Sequence, residues 1–184
     1  MIALYIILFI YVLQSVWTIL VYNDFVKRKL LVDNNFSQIK IQCLKRYDLV
    51  PNLVETVKGF AAHETAAFEN VIAALNTGAS ANSPETLENA DKELKATLAK
   101  LFAIIEAHPE LMASSNLANM QNQLVNIENA IAISRQFYND AAMMYNRKIV
   151  SFPNNLFARV FRFKQAGFFD APDGSTQSVR ISFN

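Results

Sequence analysis

"FSQIKIQCLKRYDLVPNLVETVKGF", residues 36–60, carries an apolar side chain at every third or fourth position. This spacing is typical of a helix that buries one stripe in a bundle or coiled coil. The stripe fades toward Gly78, a residue that suits a helix C-terminus, so we predict one helix over residues 36–77. Its stripe comprises Phe36, Ile39, Cys43, Arg46, Val50, Leu53, Val57 and Phe60.

Two residues interrupt this stripe. Pro51 lacks the N–H that a helix interior needs, so it either kinks one continuous helix or follows Asp48 as the cap of a second helix. We favour the kink, because the stripe keeps one register across the proline. Arg46 needs an acidic partner if it is buried, with Asp48, Glu106 and Glu110 as candidates, or else its guanidinium reaches solvent.

Two further stripes predict helices over residues 84–107 and 116–150. Ser83 and Pro84 suit the start of the first, and Ser114 or Ser115 can cap the second. Three stripes with short connections predict an all-α fold, an antiparallel bundle of three to four long helices. The stripe of the last helix comprises Leu117, Met120, Leu124, Ile127, Ile131, Ser134, Tyr138, Ala141, Tyr145 and Ile149.

Residues 1–22 contain no charged side chain. A helix of this length reaches roughly 33 Å, enough to cross the hydrocarbon core of a bilayer. The segment has neither the basic start nor the small-residue cleavage site of a signal peptide. We therefore predict a retained transmembrane helix over 1–22 and a helical juxtamembrane extension over 23–35. The basic residues after the span, Lys27, Arg28 and Lys29, predict a cytoplasmic C-terminal domain with Met1 outside.

Residues 151–184 form a predicted aromatic-rich tail with an irregular C-terminus. Arg159, Arg162 and Lys164 alternate with phenylalanines there. The rings either pack on the bundle, or the tail meets a lipid surface together with the basic residues after the span. A reversal near Asp48 brings the tail back to the membrane, whereas one kinked helix leaves it far away.

Amide side chains crowd one part of the last helix. Asn119, Asn122, Asn126 and Asn129 are candidates for self-association, because uncharged amides form hydrogen bonds across protein contacts. The alternative is a neutral face in contact with solvent.

Residues for chemistry are few. His63 starts "HETAA", which is not the H-E-x-x-H zinc motif, and His108 is the only other histidine. Cys43 belongs to the apolar stripe and fits a buried structural thiol. A formal net charge of +1 gives no field for nucleic acid. We predict no catalytic, cofactor or metal residue, no small-molecule substrate and no nucleic-acid partner, and hence no enzyme.

Four stretches together resemble the LemA family: "QIKIQCLKRYDLVPNLVETVKGFAAHE" (38–64), "IEAHPELMAS" (105–114), "IENAIAISRQFYNDAAMMYN" (127–146) and "SFPNNLFARVFRFKQAGFF" (151–169). The resemblance implies one N-terminal membrane helix, a cytoplasmic-type helical bundle, and no catalytic residue or cofactor. One branch of the family is associated with magnetosome membranes. The chain departs from the family at "VFRFK", where a glycine is common. The motif residues are Arg46, Asp48, Pro51, Tyr138, Asn139, Phe152 and Pro153.

Two functions follow as hypotheses. The first is a non-enzymatic scaffold or adaptor, anchored in the bacterial inner membrane by a single pass, that self-associates and binds an unidentified protein partner. The second is a lipid-surface module whose basic-aromatic tail binds or shapes membrane.

Overall fold

The computed structural model describes residues 1–169, most of which are helical. Within this range there is no strand, and the predicted all-α fold with a long apolar N-terminal helix is confirmed. The helices are α1 (Ile2–Lys58), α2 (Thr65–Ala79), α3 (Pro84–Glu106), α4 (Pro109–Met112), α5 (Ser115–Val150) and α6 (Asn154–Val160).

α1 runs without a break from the apolar segment through Pro51 to Lys58. The interpretation in which Asp48 caps a second helix is therefore wrong. The predicted helix over 36–77 is also wrong in extent, because the chain leaves the helix at Gly59 and α2 begins only at Thr65. Glycine has no side chain to restrict its backbone, which makes it a poor residue for a helix interior. Phe60, placed in the predicted stripe, is exposed.

The first part of α1 is long and apolar enough to cross a membrane by length and composition. Its large side chains from Ile2 to Leu20 are exposed in the protein alone. A continuous apolar surface of this size marks a site of contact with another apolar phase.

The contacts divide the chain into two compact units. The first contains residues 1–46 and 121–167, so that α1 and α5 run antiparallel within it. Three pairs of residues show this direction, since lower numbers on α1 meet higher numbers on α5. The pairs, from one end to the other, are Arg46 with Glu128, Phe36 with Tyr138, and Asp24 with Lys148.

The apolar stripe predicted for α5 is confirmed as its inner face. Met120, Ile127 and Ser134 are half-buried. All other members are buried: Leu117, Leu124, Ile131, Tyr138, Ala141, Tyr145 and Ile149.

The second unit contains residues 47–120 and is built around a hairpin of α2 and α3. The Ser83 side chain accepts a hydrogen bond from the Thr86 backbone, and Pro84 is the first helical residue, as predicted. Gly78 lies against the ring of Tyr47, where an added Cβ would stand 2.9 Å from Cζ. A glycine is therefore needed here for close packing of α2 on α1, and α2 ends one residue later, at Ala79, close to the predicted end.

Candidate membrane-proximal site

Aromatic residues of the tail pack on α1 around the end of its uncharged segment. The ring centroids of Trp17 and Phe157 are 4.9 Å apart in an edge-to-face arrangement. Tyr22 meets Phe161 at 5.1 Å, one turn further along α1. Trp and Tyr are enriched where a membrane meets water. The tail thus covers the part of α1 that would lie at the bilayer interface.

Arg162 ends α6 in a Schellman motif. Its φ of 58° lies in the left-handed region, and its N–H donates to Arg159 O. The Phe163 N–H donates to Ala158 O at 2.9 Å, the bond that closes this motif. The turn directs Phe163 onto α1, where its ring stacks on Phe25 with centroids 4.9 Å apart.

Residues 161–167, here called the tail segment, are fixed to α5 by two side chains. Asn146 Nδ2 donates to Ala166 O, and the Ala166 N–H donates to Asn146 Oδ1, both at 2.8 Å. The Tyr138 hydroxyl donates to Gly167 O at 2.9 Å. Burial and the charge of Asp33 raise the pKa of Tyr138, so the hydroxyl keeps its proton at neutral pH. Three hydrogen bonds therefore hold the tail segment along α5.

These contacts bear on the predicted position of the tail and on the predicted packing of its phenylalanines. A continuous first helix was expected to leave the tail far from the membrane. This is wrong, because the break at residues 59–64 adds one helix to the predicted number, and α5 runs antiparallel to α1 back toward the apolar segment. Phe157, Phe161 and Phe163 pack on the protein, and they do so beside the apolar segment. The Phe152–Pro153 peptide bond is cis and lies between α5 and α6.

A concave groove of about 470 Å³ lies at the same end of the first unit. It is lined by Arg28, Met144, Arg147, Lys148, Ser151 and Asn154. Three of these residues are cations, and two offer small polar groups. Of the predicted membrane-surface residues, only Arg28 lines this groove. Lys27, Lys29, Arg159, Arg162 and Lys164 lie elsewhere on the exposed surface.

Asp24 positions two of these cations. Its Oδ2 accepts from Arg28 Nε at 3.0 Å and pairs with Lys148 Nζ at 3.1 Å. Burial by itself raises the pKa of Asp24, but the hydrogen bonds from Arg28 and Lys148 outweigh it and lower the pKa below 3.8. Asp24 is therefore a carboxylate at neutral pH and links α1 to the end of α5.

Arg46 has the acidic partner that its burial demands, but the partner is Glu128. The Arg46 side chain is 0 % exposed, and its Nη1 donates to Glu128 Oε1 at 2.6 Å. The alternative in which Arg46 reaches solvent is wrong, and none of the candidates Asp48, Glu106 and Glu110 forms this contact. Glu128 could not be chosen from the sequence, because the choice depends on the register of α1 against α5.

The four asparagines predicted for self-association, Asn119, Asn122, Asn126 and Asn129, are all exposed. Their face continues toward the tail with apolar side chains at helical spacing. Ile133, Phe137 and Met144 are 54 %, 60 % and 53 % exposed. We call the residues Asn122, Asn126, Asn129, Ile133, Phe137 and Met144 the outer α5 face, because they lie opposite the buried stripe. Sequence analysis identified its amide half only.

Residues for chemistry are dispersed. Cys43 is buried in the α1 stripe, and His108 Nδ1 lies 2.8 Å from Ile104 O. His63 is exposed. Among residues 1–169, no group of three or more His, Cys, Asp or Glu side chains is arranged to hold a metal ion. The arrangement that stands out is the aromatic, basic end of the first unit.

The model of the LemA family matches residues 35–183, which is most of the chain. This chain belongs to the LemA family. Over 96 residues it is 33 % identical to magnetosome protein MamQ 2 of Paramagnetospirillum magneticum, covering 52 % of this chain and 35 % of that protein. The same length is 30 % identical to magnetosome protein MamQ of Magnetospirillum gryphiswaldense, with the same coverage. The chain thus spans about a third of the length of these relatives.

In this LemA-family chain, two of the predicted motif residues make contacts described above and a third lies inside α1. Arg46 makes the buried ion pair, Pro51 lies within α1, and Tyr138 holds the tail segment. The departure at "VFRFK" contains the left-handed Arg162, at the position where a backbone turn favours glycine. Asn146, Trp17 and Asp24 also make contacts that join α1, α5 and the tail. No role for them was predicted from the sequence. A role for Asp24 could have been predicted, since it stands four residues before Arg28.

Proposed function

We propose that this LemA-family chain is a membrane-anchored, non-enzymatic helical scaffold that self-associates and binds a protein partner through the outer α5 face. The observation that carries the proposal is the continuity of that face. Three exposed asparagines lead into three large apolar side chains, Ile133, Phe137 and Met144, each more than half exposed. This face is neutral from Asn122 to Phe137, and exposed Asp140 follows between Phe137 and Met144. Solvated helix faces carry more charge than this, so a neutral stretch with apolar side chains fits a protein contact.

Membrane anchoring supports the same proposal. The apolar segment of α1 confines all copies to two dimensions, which raises their effective concentration. Weak contacts between neutral faces are then sufficient for association, although free domains of the same affinity would stay apart.

Light scattering of the full-length protein in mild detergent, with the detergent mass subtracted, tests self-association. We expect an oligomer for the wild type. Phe137→Lys, or Asn122, Asn126 and Asn129 together replaced by Lys, should yield monomers without loss of helicity. Gln123→Lys is the matched control, because this exposed amide lies off the outer α5 face. A wild type that is monomeric at all concentrations would remove self-association from the proposal.

The proposed location is the bacterial inner membrane, with the C-terminal domain in the cytoplasm. The basic residues Lys27, Arg28 and Lys29 support this orientation through the positive-inside rule. The test is an Ile2→Cys variant on a Cys43→Ser background. The new cysteine should react with an impermeant maleimide in intact cells. If a cysteine placed at exposed Lys58 were labelled instead, the orientation would be the opposite of the one proposed.

A lipid-surface module is the second candidate. The observation that favours it is an exposed apolar face at α6. Phe152, Leu156 and Val160 follow each other at a spacing of four residues and are 80 %, 54 % and 73 % exposed. The neighbouring Phe157 contacts Trp17 at the end of the apolar segment. An apolar face at this level suits the boundary between head groups and acyl chains.

Fluorescence quenching separates this candidate from the scaffold. Trp17 is the chain's one tryptophan, so a Trp17→Phe, Val160→Trp variant has a single reporter on α6. In vesicles, lipids brominated near the head group should quench it strongly. Trp fluorescence that is insensitive to brominated lipid would mean that α6 stays in water.

A further inference from the structure

We propose that the basic groove binds the phosphate group of an anionic phospholipid. It is lined by Arg28, Arg147 and Lys148, together with Ser151 and Asn154. A phosphate offers several acceptor oxygens to these donors, and arginine is suited to bind two of them at once. This inference does not depend on self-association, but its choice of a lipid as the source rests on the proposed membrane insertion.

The groove keeps an excess of positive charge. Asp24 pairs with both Arg28 and Lys148, so one carboxylate stands against three cations. Arg147 is exposed, and no acidic partner contacts it within residues 1–169. Asp24 also holds Arg28 and Lys148 in fixed positions, which lowers the entropic cost of binding an anion between them.

The groove lies at the height of the head groups. Arg28 is six residues beyond Tyr22, the end of the uncharged segment, which places it roughly 9 Å further along α1. The polar layer on each side of a bilayer is roughly 5–8 Å thick, and an arginine side chain can reach back toward it. Basic pockets next to membrane helices are suited to anionic head groups. Met144 adds an apolar wall to the groove.

A simpler role for Arg147 and Lys148 is to offset the negative end of the α5 dipole, since both lie in its last turn. That role acts on the stability of the helix alone. It involves neither Arg28, which belongs to α1, nor any discrimination between lipids. The two roles therefore differ in what an Arg147 variant changes.

The test uses the full-length protein in an uncharged detergent, with bound lipid measured by native mass spectrometry. Short-chain phosphatidylglycerol should bind at least about tenfold more tightly than phosphatidylcholine with the same chains, since only the former is anionic. Arg147→Gln should weaken phosphatidylglycerol binding by about tenfold and leave phosphatidylcholine unchanged. Arg147→Lys should retain part of the binding, because the charge remains while the paired contact to two phosphate oxygens is lost.

The matched control is Arg159→Gln, which removes an exposed cation outside the groove. Equal losses for Arg147→Gln and Arg159→Gln would mean general surface attraction and overturn the site. An Arg147→Gln protein that melts earlier but keeps its lipid preference would assign Arg147 to the helix dipole alone. Inorganic phosphate alone should bind far more weakly than the lipid, and equal affinity would overturn the lipid as the source.

Discussion

Arg162 adopts a strained backbone conformation in the turn that ends α6. A left-handed conformation costs an L-residue other than glycine about 1 kcal/mol or more. Here it closes the Schellman motif of α6 and directs Phe163 onto Phe25. The energy of this aromatic contact offsets the cost of the turn.

Arg162→Gly should therefore raise the free energy of unfolding by about 0.5 kcal/mol, since glycine relieves the strain but adds freedom to the unfolded chain. Arg162→Val should lower it by about 1 kcal/mol or more, because β-branched residues resist this conformation. Thermal unfolding followed by circular dichroism measures both. Equal effects of the two substitutions would show that the charge matters and not the backbone.

The ion pair of Arg46 and Glu128 is the second feature at the scale of single residues. Glu128→Ala should destabilise the protein by about 3 kcal/mol, because it leaves a buried guanidinium without this carboxylate. Glu128 is 29 % exposed, which keeps the loss at the lower end for buried pairs. The double variant Arg46→Met, Glu128→Gln should recover most of the loss. Chemical denaturation measures these differences, and a double variant as unstable as Glu128→Ala would contradict the explanation.

α5 illustrates what can be predicted for a single element. Its stripe was readable because every third or fourth residue is apolar, and the buried residues follow it closely. The C-terminal end of α1 could not be predicted from this pattern, because apolar residues continue beyond Gly59 at similar spacing. Glu128 and Asn146 also escaped prediction. Each acts across two segments, so its role depends on how those segments pair and not on local pattern.

The register of α5 yields a prediction at the scale of the element. Leu124→Asp should unfold the first unit, because Leu124 is buried and the carboxylate would have no partner there. Asn122→Asp, two residues away on the outer α5 face, should be tolerated. Circular dichroism and urea denaturation compare the two variants. Equal loss of helicity would mean that the assignment of inner and outer faces is wrong.

For the molecule as a whole, pH should act through Asp24. Its pKa is lower in the folded state, so its contribution to stability is full above its ordinary value of 3.8 and disappears as pH falls through the folded value. The melting temperatures of wild type and Asp24→Asn should differ at pH 6, and the gap should narrow as the pH falls below 3.8. A gap that does not narrow in acid would show that the carboxylate's charge is not what stabilises the contact with Lys148.

The packing of the tail on α1 also has a consequence for synthesis. Trp17 and Phe157 are about 140 residues apart in the chain, so with the proposed membrane anchoring α1 would enter the membrane long before its aromatic partner exists. At 5–20 residues per second, this delay lasts roughly 7 to 28 s. During that time Trp17, Tyr22 and Phe25 face the bilayer surface uncovered. A ribosome stalled before residue 157 should therefore leave a nascent chain that is cross-linked to other membrane proteins through Trp17, and completed chains should lose that cross-link.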